Sequence, residues 1–385
     1  MAVLAVRLAD KIFGTGSRAL LRRAVAALAE NLKPPGKAAV DGTKQGHGMS
    51  RVNVHHIEGV TVYEAVCSRS LSERSFEVQL DDWATAALAA FDHYRATHGR
   101  PDLVHAHGRF LAGGAFALKL KTMMGIPYVY TEHSSYYHRG IAPIGTKSVL
   151  KQIIENASEY SAVSPFLAES VARYIGSPVR EATILANVLD EIYEREPLRE
   201  PPGRLPFVFT NIATLYDHKG VDILLKAFAE AFRGQQGYTL KLCGGGPQKG
   251  KLQSLACELE VSDQVEFLGQ VSKGDVLRQI DNSHVVVLSS RVETFGVPLI
   301  EAMARGRPVI STRCGGPDSM VKPGLGLLVE VDNIPQMAAA LRQMATNVAI
   351  YNGTVIRQNA LDTYGSSVFR RAIDSMYQAA LTNPV

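Results

Sequence analysis

Two carboxylates and one lysine carry the chemistry that the residue order suggests. Glu293 and Glu301 are separated by Thr294, Phe295, Gly296, Val297, Pro298, Leu299 and Ile300. A helix opening between them would offer backbone N–H groups and the positive end of its dipole, which suit a phosphate. Lys219 lies in the order strand, loop, Lys-Gly, helix. A cation there can offset the charge that builds up on a departing phosphate, although a single lysine is more often only solvated. His107 and His133 both fall at the ends of apolar runs. They read either as hydrogen-bonded structural residues or as catalytic ones. A zinc pair would lack a visible third ligand.

The elements that must position these residues follow from the apolar pattern. Residues 285–288 are an apolar β-branched run and predict a strand buried on both faces. Residues 289–296 are polar with a glycine and predict a loop. Pro298 suits the first helical position, where a missing N–H costs nothing. Leu299, Ile300 and Met303 form the helical stripe, and Gly306 stops it. Val309 and Ile310 open the next strand. The unit is β-α-β, and its right-handed crossover makes the strands parallel. Glu293 is then in the loop and Glu301 in the first helical turn. The dipole alone accounts for an acid in a first turn, so Glu301 gains meaning only from its company. That company is a loop at the C-terminal end of a buried strand, where α/β proteins bind ligands. Strands at 103–107 and 127–133 bring His107 and His133 to the same kind of edge. A strand at 207–212 and a helix at 221–232 flank Lys219.

The run Glu293-Thr-Phe-Gly-Val-Pro-Leu-Ile-Glu301-Ala-Met-Ala-Arg-Gly-Arg-Pro-Val-Ile resembles the paired-glutamate motif of retaining, GT-B-fold glycosyltransferases of family 4. The resemblance implies that Glu293 faces the donor sugar and that Glu301 holds the ribose hydroxyls. The amides around Phe295, Gly296, Val297 and Leu299 would contact sugar and diphosphate, and Lys219 would bind the diphosphate. The family often has arginine five residues before this lysine, where this chain has Thr214. A hydroxyl there brings no charge, so phosphate affinity falls unless another cation substitutes. Gly269 ends the strand 265–269, whose backbone would meet the nucleotide base. Thr131-Glu-His133-Ser-Ser and Asp102-Leu-Val-His-Ala-His-Gly resemble the family's first domain, where the histidine after the threonine lies against the transferred sugar. Residues 184–190 resemble the Asn-Gly-Val-Asp segment at the domain junction, with Val188 in place of glycine. A strand, glycine turn and helix normally open such chains. Gly14 and Gly16 echo that order, so Gly16 is a candidate near phosphate. The likeness spans about residues 100–380 and is strongest over 205–315.

The fold implied is α/β of the GT-B type, with two doubly wound, Rossmann-like parallel-sheet domains facing a cleft. Residues 1–190 would bind the acceptor, and a helix over 362–385 would pack back on them. Residues 191–361 would bind the donor. The implied reaction moves a sugar from a nucleotide-diphosphate sugar to a glycan or lipid-linked acceptor with retention, without a cofactor and without a metal. No Asp-X-Asp metal motif occurs. Two other functions fit the same motifs: a nucleotide-sugar epimerase, and a non-catalytic nucleotide-sugar-binding protein.

The rest of the chain bounds these readings. Apolar residues make up 46% and charged residues 20% of 385, as in a globular enzyme of two or three domains. No run is long and apolar enough to span a membrane, and the first residues are too short and wrongly flanked for a secretory signal. Residues 1–50 carry eight Lys/Arg against three acids, and the remainder is nearly balanced. The basic excess is therefore local, which argues against nucleic acid. A helix at 17–33 could rest on an anionic membrane through that basic face, or simply pack on its own domain. The expected location is cytoplasmic, peripheral on the inner membrane face if that helix binds lipid. Residues 34–50, rich in Gly, Pro and Lys, read as a mobile connection.

Cys67, Cys243, Cys257 and Cys314 fit neither a zinc site nor a redox pair and read as buried thiols. Further strands are expected at 2–6, 60–66, 161–164, 239–243 and 325–331. Further helices are expected at 83–97, 110–124, 147–175 around the strand at 161–164, and 337–345. A last helix or broken pair covers 360–381. Residues 195–206 read as linker. The glycines at 244–246 allow either a tight turn or close ligand approach. The alternation makes the N-terminal half a parallel sheet as well.

Overall fold

The computed structural model describes residues 4–6, 51–57, 60–66, 76–108, 111–143 and 145–382. The turn with Gly14 and Gly16, the helix at 17–33, the segment 34–50 and Cys67 lie outside the described residues. Two compact units result. One holds the described residues up to Ala162, together with Ala168–Leu185 and those from Ala372 onward. The other holds Val163–Leu167 and Ala186–Arg371.

The strands are β1 (Leu4–Val6), β2 (Arg51–Ile57), β3 (Val60–Val66), β4 (Val104–Gly108), β5 (Tyr128–Glu132), β6 (Glu159–Ala162) and β7 (Thr183–Ile184), then β8 (Phe207–Ile212), β9 (Tyr238–Cys243), β10 (Val265–Gly269), β11 (Val285–Leu288), β12 (Val309–Thr312) and β13 (Gly326–Val329). The α-helices are α1 (Phe76–His98), α2 (Ala112–Met124), α3 (Thr146–Asn156), α4 (Pro165–Ile175), α5 (Glu191–Arg195) and α6 (Val221–Phe232), then α7 (Lys249–Glu258), α8 (Lys273–Asp281), α9 (Val297–Ala304), α10 (Ile334–Asn347), α11 (Gly353–Tyr364) and α12 (Ser366–Thr382).

In the first unit β4, β5, β6 and β7 form a parallel sheet in chain order. Beside the expected parallel sheet there is a second, antiparallel one of order β1-β3-β2. Its strand β2 escapes the sequence pattern, and its inner contacts are polar. Asn53 Nδ2 donates to Glu64 Oε2 at 2.8 Å, and His55 Nε2 lies 3.2 Å from the same oxygen. Glu64 is buried on β3. The alternation of Val52 and Val54 with Asn53 and His55 is short and breaks at His55-His56, so it marks the strand only weakly. The last helical segment is a pair, α11 and α12, parted at Gly365.

The second unit is one parallel six-stranded sheet of order β10-β9-β8-β11-β12-β13. Strand β11 is buried along its length. Val285 and Val287 enter the core cluster with Phe209, Leu224, Phe228, Leu240, Leu341 and Met344. Val286 and Leu288, also buried, point to the opposite face. Each such side chain stabilises the fold by roughly 1.5–3 kcal/mol. The order reverses between β8 and β11, which sequence places far apart. At such a switch point the loops leaving two neighbouring strands diverge and open a crevice at their C-terminal ends.

Candidate functional site

The loops that leave β8 and β11 hold Lys219 and Glu293. Lys219 ends a short turn, Asp217–Lys219, and Gly220 follows with φ 60°. A Cβ at Gly220 would lie 2.1 Å from the Ser289 carbonyl oxygen. Only glycine therefore lets the Lys219 loop press against the end of β11. Ser289 Oγ donates to the Lys219 carbonyl at 3.0 Å, and the Arg291 N–H donates to the His218 carbonyl at 2.8 Å. Arg291 adds a bidentate pair with Asp222 at 2.9 and 3.1 Å and an ion pair with Asp332 at 2.8 Å. Burial alone would raise the Asp222 carboxyl, but the hydrogen bond and charge of Arg291 prevail and hold it below its usual range. Hydrogen bonding to Asp222 raises the guanidinium in turn, against some burial. The two loops are thus clamped together.

Across this clamp Lys219 Nζ meets Glu293 Oε1 at 2.5 Å, and Ser290 Oγ donates to the same oxygen at 2.9 Å. The backbone of Glu293 is fixed as well. Its N–H donates to the Cys314 carbonyl at 2.9 Å, and its carbonyl accepts from the Gly316 N–H at 2.8 Å. The turn after β12 therefore holds the Glu293 loop in place. Burial pushes the Cys314 thiol up to about 12.

Helix α9 starts at Val297 with Gly296 as its cap, and Pro298 is its second residue rather than its first. Pro298 has no N–H, and the Leu299 N–H is already bonded to the Gly296 carbonyl at 3.0 Å. Of the amides expected to meet a diphosphate, the Leu299 N–H is therefore already taken within the fold. The side chains of Phe295 and Leu299 are buried. The Phe295 ring packs edge-on to Tyr364, so these two residues shape the loop from inside.

Glu301 is not in the first turn. It is the fifth residue of α9, which has no acid in its first turn. Its carboxylate receives the hydroxyl of Tyr193, whose phenol is raised by burial first and by Glu301 next. The sequence pattern fails here because it starts the helix one residue late and lacks the Tyr193 contact. Thr214 is exposed on the loop after β8. That loop rests on the glycine turn: the Leu215 N–H donates to the Gly245 carbonyl at 2.9 Å, and a Cβ at Gly244 would lie 1.8 Å from the Ala213 oxygen. Gly244 and Gly246 thus serve a close backbone approach within the fold, whereas a Cβ at Gly245 would make only ordinary contact. The Gly269 carbonyl accepts from the Gly244 N–H at 2.7 Å, and a Cβ at Gly269 would meet nothing within 4 Å.

In the first unit β4 and β5 lie side by side, with His107 opposite Thr131. His107 Nδ1 is 2.9 Å from His133 Nε2. The backbone N–H groups of His133 and Ser134 donate to Glu132 Oε1 at 2.8 and 2.7 Å. Tyr130 and Tyr137 donate to Glu132 Oε2 at 2.5 and 2.9 Å. Burial raises the Glu132 carboxyl above its ordinary range, and these four hydrogen bonds oppose it. Nothing in the sequence singles out Glu132, whose neighbours Tyr130 and Tyr137 are two strand positions and a loop away. Among the described residues no group of three or more His, Cys, Asp or Glu side chains is arranged to hold a metal ion. No helix among them is long and apolar enough to cross a membrane. Cys257 is exposed, contrary to the expectation of a buried thiol, while Cys243 and Cys314 are buried. Helix α7 leaves Cys257 on its outer side, which an isolated cysteine in a sequence does not disclose.

Two family models match the chain in tandem, "Glycosyltransferase Family 4" over residues 56–191 and "Glycosyl transferases group 1" over residues 194–357. The chain belongs to the family 4 glycosyltransferases. It is 29% identical over 218 residues to the phosphatidylinositol N-acetylglucosaminyltransferase gpi3 subunit of Schizosaccharomyces pombe, covering 56% of this chain and 47% of that one. It is 25% identical over 260 residues to a glycogen synthase of Mycobacterium tuberculosis, covering 65% and 61%. The chain spans about half to two thirds of the length of these relatives. Among solved structures it is similar to a sucrose-phosphate synthase from Thermosynechococcus elongatus, with TM-score 0.64, 22% identity and 81% of each chain covered. It is similar also to HepE of Anabaena in complex with UDP, with TM-score 0.64, 18% identity, and 78% and 82% covered. These likenesses establish the GT-B-type fold, α/β with two parallel sheets.

Proposed function

We propose that the chain transfers a sugar from a nucleoside-diphosphate sugar to a glycan or lipid-linked acceptor, with retention at the anomeric carbon. The observation that supports this best is the Lys219–Glu293 contact at 2.5 Å, at the switch point of a parallel sheet and beside the start of α9. In this reading the diphosphate takes the ammonium of Lys219 and the Gly296 and Val297 amides. Glu293, released from Lys219, orients the donor sugar. Glu301, held by Tyr193, binds the ribose hydroxyls, and Thr214 supplies one neutral donor to phosphate. Gly269 meets the base through its backbone. His133 serves the transferred sugar, and the first unit takes the acceptor. The division of labour follows residues 1–190 with 362–385, and 191–361. Charge stabilisation of the leaving diphosphate by fixed donors is the main catalytic contribution. The acceptor class is supported by the relatives' names, one acting on phosphatidylinositol and one building glycogen.

The test is a thermal-shift screen with UDP-, GDP- and ADP-sugars, followed by a transfer assay with the sugar that binds. A ligand at one hundred times its Kd adds about 2.7 kcal/mol to the native state, a plain rise in melting temperature. Glycosylated product supports the reading. An epimerised sugar nucleotide with no glycoside, or binding without turnover on any acceptor, rejects it.

A further inference from the structure

Both ring nitrogens of His105 are engaged. Nδ1 lies 2.8 Å from the Tyr377 hydroxyl, and Nε2 lies 2.6 Å from Thr131 Oγ1. Thr131 Oγ1 is in turn 2.7 Å from Ser161 Oγ. Three strands and α12 therefore fix the plane of the His105 ring. His107, two residues on along β4, presents its side chain on the same face. Its ring stacks on that of His105 at 4.2 Å between centroids and 25° between planes. From this anchored stack His107 Nδ1 reaches His133 Nε2 at 2.9 Å. The backbone of His133 is held separately, by its N–H on the Glu132 carboxylate.

A hydrogen bond between two imidazole nitrogens needs one proton between them, so one ring donates and the other presents a lone pair. Whichever ring donates, the tautomer of the second is dictated by the first. We propose that His107 is a positioning residue, whose ring, locked by stacking on His105, sets both the orientation and the tautomer of His133. The inference rests on the role given to His133 above and extends it. His133 does not meet the sugar as an independent side chain but as the outer member of a pair anchored to Tyr377. Among the described residues, the titratable groups around this pair include His105 on β4, the Glu132 carboxylate on β5 behind the His133 backbone, and the Tyr377 phenol on α12.

The experiment uses the full chain with His107→Asn, His107→Gln, His107→Phe, His133→Ala and the double variant His107→Phe/His133→Ala. An asparagine amide falls near the place of Nδ1, and a glutamine amide near that of Nε2. Loss of one hydrogen bond of this kind is worth roughly a threefold to tenfold change. His107→Phe is therefore expected to lower kcat by that factor with donor KM within twofold. His107→Asn should restore at least half of the loss, and His107→Gln should not. In the His133→Ala background His107→Phe should have no further effect, since a residue acting only through another is silent when that other is absent. Independently of turnover, long-range proton–nitrogen spectra of histidine-labelled protein should show the His133 ring nitrogens shifted in His107→Phe and near wild type in His107→Asn. Unchanged His133 nitrogen shifts in His107→Phe, or an equal loss of kcat with and without His133, overturns the proposal. Because the spectra need no substrate, they judge it even if no transfer is found. If the His107→Phe variant does not fold, the His107→Asn and His107→Gln variants give the same comparison.

Discussion

Replacing Lys219 with methionine removes one charge and keeps the length of the side chain. The side chains of Lys219 and Glu293 are 19% and 17% exposed and 2.5 Å apart. Breaking a fully buried pair costs about 3–5 kcal/mol because the remaining charge is stranded, whereas exposed pairs contribute about 0–1 kcal/mol. Ser290 still donates to Glu293, and water reaches both groups in part. We therefore expect a loss of about 2 kcal/mol, between those two limits. For a unit of this size that lowers the melting temperature by roughly 4–8 °C. Adding Glu293→Gln removes the stranded carboxylate and should return at least half of that loss. Activity should not return. In the proposed reading the ammonium meets the leaving diphosphate, and losing such a group costs about a hundredfold to a thousandfold in kcat. Stability is read by thermal unfolding, and transfer by product formation with the donor found in the screen. A methionine variant that transfers within tenfold of wild type would refute the assignment of Lys219. One whose melting temperature is unchanged would refute the energetic part.

Gly220→Ala puts a methyl 2.1 Å from the Ser289 oxygen at a left-handed φ of 60°, so about 3 kcal/mol or more of stability should be lost on chemical denaturation. Glu132→Gln should flatten the pH dependence of stability. The native carboxyl is raised by burial, so the protonated form favours the fold. That contribution is full below the ordinary carboxylate range and is lost as pH rises through the raised value. Wild type should thus lose stability over this interval relative to the glutamine variant, and equal slopes would contradict it. Among Cys243, Cys257 and Cys314, native alkylation at pH 8 should mark Cys257 alone. Burial pushes Cys243 to about 11 and Cys314 to about 12 and shields both. Peptide mapping decides it.

The second unit is legible in the sequence because its signals are local. Strand β11 is an unbroken apolar run, and α6 and β10 begin and end where their apolar pattern and Gly220 and Gly269 place them. The Lys-Gly turn ahead of α6 and the loop of Glu293 ahead of α9 stand in the order that the sequence places them. What stays hidden is what depends on contacts across long separations. The Arg291–Asp222 clamp, the Tyr193–Glu301 contact and the Glu132 cluster leave no periodic trace. Strand β2 is faint because its alternation of Val52 and Val54 breaks at His55-His56, and what holds Asn53 and His55 is a buried acid eleven and nine residues away. The position of Glu301 differs from the expectation through a single residue of helix start, since a proline fits the second helical position as well as the first.

The most direct measurement is a crystal structure of the chain with a nucleoside diphosphate. Phosphate oxygens are expected within hydrogen-bond distance of Lys219 Nζ and of the Gly296 or Val297 N–H. The ribose hydroxyls are expected on the Glu301 carboxylate, with Glu293 released from Lys219. A nucleotide bound away from the ends of β8 and β11, with the Lys219–Glu293 pair intact, would contradict these expectations.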